Sequence, residues 1–350
     1  MAHLVYPGAL HTRFDHSLGV CHVAGLLADE LDLSEHERTT VRFAALLHDL
    51  GHGPFSHVSE DLLAWYADRS KLAPEQKKEK IHEIITTHLI RNDPALGHVL
   101  GRTRCDEIGE LLLTGHGQPA LRSIVSGPLD ADKQDYLLRD SYFCGVPYGV
   151  FDIHQLHRSL SLFGPEHEQE LMIDRDGIHA VEQFVLAKYY LTTNVYRHRV
   201  RLIADQMLIR AIRLGIDDDG LENLRRLYSF DGSSGFYANY LRWDDARFVE
   251  AFGGSPPPGP LCGELLARLR QRHLLKRVFQ SPIDEFGDLA EYLLKLPEKG
   301  NASLRTTLEA SIAGILPKSD SGAVDPRLII VHVYTIRSVK VSSRNDEAGI

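Results

Sequence analysis

Apolar residues recur at helical spacing through the first two-thirds of this 350-residue chain, and one of those stripes runs into a polar pair, His48-Asp49. Ser34 and Glu37 have the spacing of a capping box, and Val41, Ala44, Ala45 and Leu47 follow as the apolar stripe of the helix it opens. Gly51 reads as the stop of that helix, with a turn at Gly53-Pro54. An imidazole and a carboxylate at the end of an apolar helix are costly unless something satisfies both. A divalent cation would do so, because nitrogen and oxygen donors suit Mn, Fe, Co, Ni, Zn or Mg.

Val20, Val23, Ala24, Leu27 and Leu31 predict an amphipathic helix over residues 16–31, and further helices are expected over 79–91 and 131–143. The stretch Gly177–Leu214 contains no proline and predicts one or two long helices, preceded by a short strand pair around Glu170–Ile173. Ser255-Pro256-Pro257-Pro258-Gly259-Pro260 reads as a stiff linker. Helical patterns follow over 261–279, 284–296 and 302–315, and Arg327–Val341 alternates enough to predict a strand or hairpin. Residues 342–350 are expected to fray. The expectation is a mainly α protein with a small α+β C-terminal region, divided into residues 1–215 and 216–350.

Hydrophobic residues at 43% and charged residues at 25% exclude disordered, collagenous and coiled-coil classes. No apolar run reaches the roughly 18 residues that span a bilayer, and the first residues lack the pattern of a secretory signal. Cys21, Cys105, Cys144 and Cys262 form no CxxC pair, which argues against a disulfide framework or a thiolate zinc site and for a reducing cytoplasm. The net charge of −9 gives no general attraction to nucleic acid.

Two ligands do not make a metal site. His16, at the start of the preceding helix, and Asp132, at the start of a later one, are candidates for the third and fourth. Such a set leaves coordination positions open for water and substrate. Asp132, Tyr136 and Asp140 recur at i, i+4 and i+8, so a carboxylate, an aromatic ring and a second carboxylate share one helix stripe. That is an odd surface for a core and a reasonable wall for a nucleotide.

Four separated segments carry a resemblance. They are Tyr6-Pro7-Gly8-Ala9 with His11-Thr12-Arg13-Phe14-Asp15-His16-Ser17-Leu18-Gly19-Val20, then Ala45 through His57, then Asp130 through Asp140, and finally Ala180–Phe184 with Val195–Arg199. Together they resemble the HD-domain phosphohydrolases, and within them the deoxynucleoside triphosphate triphosphohydrolases, over roughly residues 2–215.

The resemblance implies metal ligands at His16, His48, Asp49 and Asp132 for a divalent cation. It implies a general acid at His57 oriented by Glu60, where the family more often has Asp, and phosphate-side histidines at His52 and His82. Arg13, Lys133 and Lys188 would meet the phosphates, with Lys188 standing where the family often has Arg. Tyr136 and Asp140 would pack on the sugar and accept from its 3′-hydroxyl, and Tyr196 would reach toward the base. The implied reaction turns a dNTP into a deoxynucleoside and triphosphate. The alternatives are a nucleotide phosphomonoesterase or cyclic-nucleotide phosphodiesterase of the same fold, or an inactive nucleotide-binding scaffold. Self-association into a homo-oligomer is expected by the same resemblance, as is the lack of about two helices that relatives carry before the Tyr-Pro-Gly segment.

Overall fold

The computed structural model describes residues 1–113, 117–165, 168–254, 259–298, 301–317 and 323–334. Helices dominate, and the one sheet among the described residues is an antiparallel pair, β1 (Leu160–Phe163) and β2 (Glu170–Ile173), in the register Leu160 to Ile173. No helix among the described residues is long and apolar enough to cross a membrane. The four cysteines are free.

The chain divides into two compact units. Among the described residues the first comprises residues 1–201 and 226–248, and the second residues 202–225 and 249–334. Residues 226–248 lie beyond position 215 yet belong to the first unit, because their contacts are long-range: Phe230 O accepts from Asp68 N at 2.9 Å and the Tyr240 hydroxyl donates to Gly51 O at 2.9 Å.

In the first unit, α1 (Arg13–Glu30) begins three residues earlier than its apolar stripe predicts. Thr12 and Asp15 form a capping box of their own, with the Thr12 hydroxyl accepting from Asp15 N and the Asp15 carboxylate accepting from Thr12 N. That early start puts Arg13 and His16 one turn apart on one face. Helix α2 (Glu35–Leu47) opens on the Ser34–Glu37 box as expected and packs along α1. Gly51 does not end it through a left-handed residue, since α2 stops at Leu47. The glycine is needed for close approach: a Cβ there would run into the His82 carbonyl and stand 2.6 Å from the Thr86 amide nitrogen.

The elements that follow are α3 (His57–Tyr66), α4 (Ile81–Asn92), α5 (Pro94–Leu100), α6 (Arg102–Leu112), α7 (Pro119–Ser126) and α8 (Ala131–Cys144). One core joins Val20, Ala24 and Leu27 of α1 to Val41 and Ala45 of α2, Ile108 of α6 and Ile124 of α7. A second core surrounds Leu137 of α8, with Leu156 of α9 (Ile153–Arg158) and Phe184 and Leu191 of α10 (Ile178–Leu191). Between α10 and α11 (Arg199–Asp217) the chain makes a π-helical turn at Thr192–Tyr196, so the long apolar-periodic stretch is two helices with a widened turn that carries Tyr196. The first unit is completed by residues of α12 (Glu222–Tyr228), α13 (Ser234–Tyr240) and the start of α14 (Asp245–Phe252).

The second unit corrects two expectations. Helix α15 (Pro260–Arg270) ends nine residues before position 279. Arg272 adopts φ 59°, Arg272 N donates to Leu269 O and His273 N to Arg268 O, a pairing that closes a helix as a Schellman motif does without needing glycine. The helices at 284–296 and 302–315 correspond to α16 (Leu289–Lys295), preceded by a 3-10 turn, and to α17 (Ala302–Ile315). Of the strand expected over 327–341, residues 326–328 form a 3-10 turn and 329–334 pair with no strand among the described residues. There Val331 N is satisfied by the Glu309 carboxylate, itself buried against Arg210 at 2.6 Å. Residues 335–341, the 342–350 tail and most of the 255–260 linker lie outside the described residues.

Candidate metal and nucleotide site

The site forms where the first turn of α1, the end of α2 and the start of α8 meet. His16 Nε2 lies 3.1 Å from Asp132 Oδ1 and 3.8 Å from Asp49 Oδ2. His48 Nε2 lies 3.3 Å from Asp49 Oδ1 and 3.7 Å from Asp132 Oδ1. Ligand atoms of His16, His48 and Asp49 all fall within 4.8 Å of one another, the one such group of acid, histidine and cysteine side chains among the described residues. Asp132 faces both imidazoles from α8.

The imidazoles are set by their other nitrogens. His48 Nδ1 donates to Ala45 O at 2.7 Å, which turns Nε2, buried and without a hydrogen bond, toward the carboxylates. Burial opposes charging His16, yet bonds to Asp132 and Asp135 and the charges of Asp132 and Asp49 outweigh it and carry its pKa up to about 9. The same contest raises His48, while Asp49 and Asp132 are held below the usual carboxylate range by the imidazoles against the effect of burial. Two buried imidazoles beside two ionised carboxylates, with donors of nitrogen and oxygen only, fit a divalent cation of the first transition row or Mg.

The loop after α2 wraps one side of this cluster. Phe55 and Ser56 take positive φ, 59° and 51°, a conformation that costs a non-glycine residue of order 1–3 kcal/mol unless held. Asp245 accepts from Phe55 N at 2.8 Å, and the Phe55 ring packs edge-on against Phe248. Thr86 accepts from Gly51 N at 2.8 Å and donates to His48 O at 3.2 Å. Arg13 enters from α1, ion-paired with Asp49 and donating to the Ser56 hydroxyl at 3.3 Å.

His52 stacks on His82, ring centres 4.2 Å apart, and its Nε2 is 3.5 Å from Asp49. Burial and the charge of Arg13 depress His52 to about 3, and burial lowers His82 to about 4. Both are therefore held toward the neutral imidazole, in which each ring has one N–H to donate. His57 stands at the mouth, its side chain 73% exposed, with Nδ1 3.5 Å from Glu60 Oε2. Glu60 is more closely bound to Lys80, at 2.8 Å, and the His57 and Lys80 bonds hold its carboxyl ionised despite burial.

The α8 stripe leads away from the cluster. Tyr136 meets Tyr196 edge-on with ring centres 6.0 Å apart, and the Tyr196 hydroxyl donates to Asp140 at 2.5 Å. The other Asp140 oxygen is 2.7 Å from His11 Nε2, a partner the sequence does not announce. Arg201, rather than Arg199, lies over the Tyr196 ring. Lys133 turns its ammonium to Gly127 O at 2.9 Å and to Asp130. Lys188 of α10 is half-buried, its pKa lowered first by burial and then by Lys133 and opposed by Asp130 and Asp132. Asp135, Asp130, Thr86, Tyr240 and Asp245 were not singled out from sequence. Only Asp135 had a local signal, three positions after Asp132 on the same helix.

An HD domain model matches residues 13–126 and an HD associated region model matches residues 151–344. The chain belongs to the HD-domain phosphohydrolase superfamily. Its relatives include the uncharacterized protein YwfO of Bacillus subtilis, 28% identical over 312 residues that cover 85% of this chain and 68% of that one. The deoxynucleoside triphosphate triphosphohydrolase SAMHD1 of Gallus gallus is 24% identical over 382 residues, covering 97% of this chain and 62% of the relative. Among solved structures, a phosphohydrolase from Bacteroides thetaiotaomicron superposes with a TM-score of 0.63 at 25% identity, covering 85% of this chain and 74% of that one. Three further relatives are matched over only 43%, 45% and 45% of their own lengths.

Proposed function

We propose that this protein is a metal-dependent phosphohydrolase that splits a deoxynucleoside triphosphate into deoxynucleoside and triphosphate. The observation that carries the reading is the buried, unbonded His48 Nε2 among two carboxylates and a second imidazole. The likeness to a named triphosphohydrolase supports the choice of substrate.

In this reading His16, His48, Asp49 and Asp132 hold the cation, which supplies Lewis acidity to the phosphoryl oxygens and to a nucleophilic water. Arg13 offers a planar fork to two phosphate oxygens, and Lys133 and Lys188 add charge. His52 and His82 donate hydrogen bonds to the phosphates. His57, with Glu60 behind it, protonates the departing 5′-oxygen. Tyr136, Tyr196 and Asp140 form the nucleoside wall, with Asp140 set by His11 and Tyr196 for the 3′-hydroxyl.

The test is a product assay. With Mn²⁺ or Mg²⁺, incubation with each dNTP is expected to release triphosphate and deoxynucleoside, whereas dNMP and cyclic nucleotides are left unchanged. Release of orthophosphate from dNMP with no triphosphate from any dNTP would replace this reading by the phosphomonoesterase one.

The proton on His16 gives a second expectation. A cation must displace it, so apparent Mn²⁺ affinity should rise at least tenfold per pH unit from pH 6.5 to 8.5, below the His16 pKa of about 9, and more steeply where the raised His48 also gives up a proton. Titration calorimetry in buffers of differing ionisation enthalpy reads both the slope and the released proton. An affinity independent of pH over that window contradicts the assignment of His16 as a ligand.

A further inference from the structure

His16 differs from His48 in what holds it. Where His48 Nδ1 donates to a neutral backbone carbonyl, His16 Nδ1 lies 2.7 Å from Asp135 Oδ2, a carboxylate whose side chain is 7% exposed. Both Asp135 oxygens accept in turn from Arg139, Nε to Oδ2 and Nη2 to Oδ1, each at 2.8 Å. Asp132, Asp135 and Arg139 stand at i, i+3 and i+7 of α8, so ligand, carboxylate and guanidinium share one face. On the facing helix, Gly19 comes three residues after His16. A Cβ at that position would collide with Asp135 Oδ1 and Arg139 Nη2, so the glycine is what lets the pair lie flat against α1. The outer side of Asp135 and Arg139 lines a groove of about 970 Å³ with His22, Leu26 and Phe143. The pair therefore stands between the proposed ligands and this groove.

We propose that Gly19, Asp135 and Arg139 are a positioning relay for His16, an inference that rests on His16 being a metal ligand. Asp135 accepts the Nδ1 proton, which fixes the tautomer and aims the Nε2 lone pair at Asp49 and Asp132. Its negative charge makes that nitrogen a stronger donor. Arg139 fixes Asp135 through a bidentate pair, and Gly19 provides the space. None of the three touches the cation or the substrate.

The test measures Mn²⁺ binding by titration calorimetry on the full chain, with thermal melting followed by circular dichroism as a check on folding. Asp135→Ala is expected to weaken Mn²⁺ binding roughly 10- to 100-fold. Asp135→Asn, which keeps an acceptor but loses the charge, should fall between it and the parent, as should Arg139→Gln. Gly19→Ala should weaken binding although it alters no polar group. In a His16→Ala background, adding Asp135→Ala should cost nothing further, because the relay acts only through that imidazole. Asp135→Ala or Asp135→Asn proteins that melt normally and bind Mn²⁺ within twofold of the parent would overturn the relay. So would a loss that adds in full to that of His16→Ala. If the parent itself binds no Mn²⁺, the metal reading fails and takes the relay with it, an outcome distinct from the other two.

Discussion

Asp49→Ala is expected to reduce triphosphate release from a dNTP by a factor of about a thousand or more, the scale at which a catalytic metal is lost. Asp49 is the most connected carboxylate of the cluster, within 3.3 Å of His48, 3.5 Å of His52 and 3.8 Å of His16, and paired with Arg13. Removing it takes away a proposed ligand and leaves Arg13 without its carboxylate partner. Mn²⁺ binding should fall with activity, and Asp49→Asn should behave similarly, because its amide keeps the volume but supplies no charge. Activity and calorimetry measured on the same preparations decide the matter. A variant that keeps a tenth of the parent activity would show that Asp49 is not a ligand.

His57→Ala has the second largest expected effect, a loss of roughly 10²- to 10⁴-fold on dNTP. This loss should depend on the leaving group. A deoxynucleoside 5′-alkoxide needs a proton as it departs, whereas nitrophenolate does not, so the variant should lose far less on a nitrophenyl phosphodiester than on dNTP. Mn²⁺ affinity should be unchanged, since His57 is not among the proposed ligands and its Nδ1 faces Glu60. Equal losses on both substrates would remove His57 as the acid and leave it a role in binding only.

The parts of this protein most legible in its sequence are those written locally. The Ser34–Glu37 box, the apolar stripes of α1 and α2 and the β2 segment Glu170–Ile173 are short-range patterns, and each appears within a residue or two of its expected place. The start of α1 is equally local, since Thr12 and Asp15 carry a capping box, but its apolar stripe begins later and marks only the buried part of the helix. The end of α15 was not legible, because Arg272 adopts a left-handed conformation that composition assigns to glycine. At the site, His16, His48, Asp49 and Asp132 could be singled out as residue types that share a chemistry. What holds them could mostly not, because Thr86 and Ala45 act through hydrogen bonds that carry no sequence pattern, and Asp135 leaves only its spacing from Asp132. Residues joined across nearly two hundred positions, such as Gly51 with Tyr240, leave no mark that one sequence can reveal.

The loop at Phe55-Ser56 keeps an unfavourable backbone because Asp245 and Phe248 grip it from outside the 13–126 segment that defines the HD domain. The motif is therefore not portable. A trimmed protein ending at residue 215 would retain every proposed ligand and still surrender the anchors that shape the turn between them. Residues 226–248, although they fall within the associated region, therefore belong with the unit that holds the site, and a chain shortened ahead of them loses those anchors.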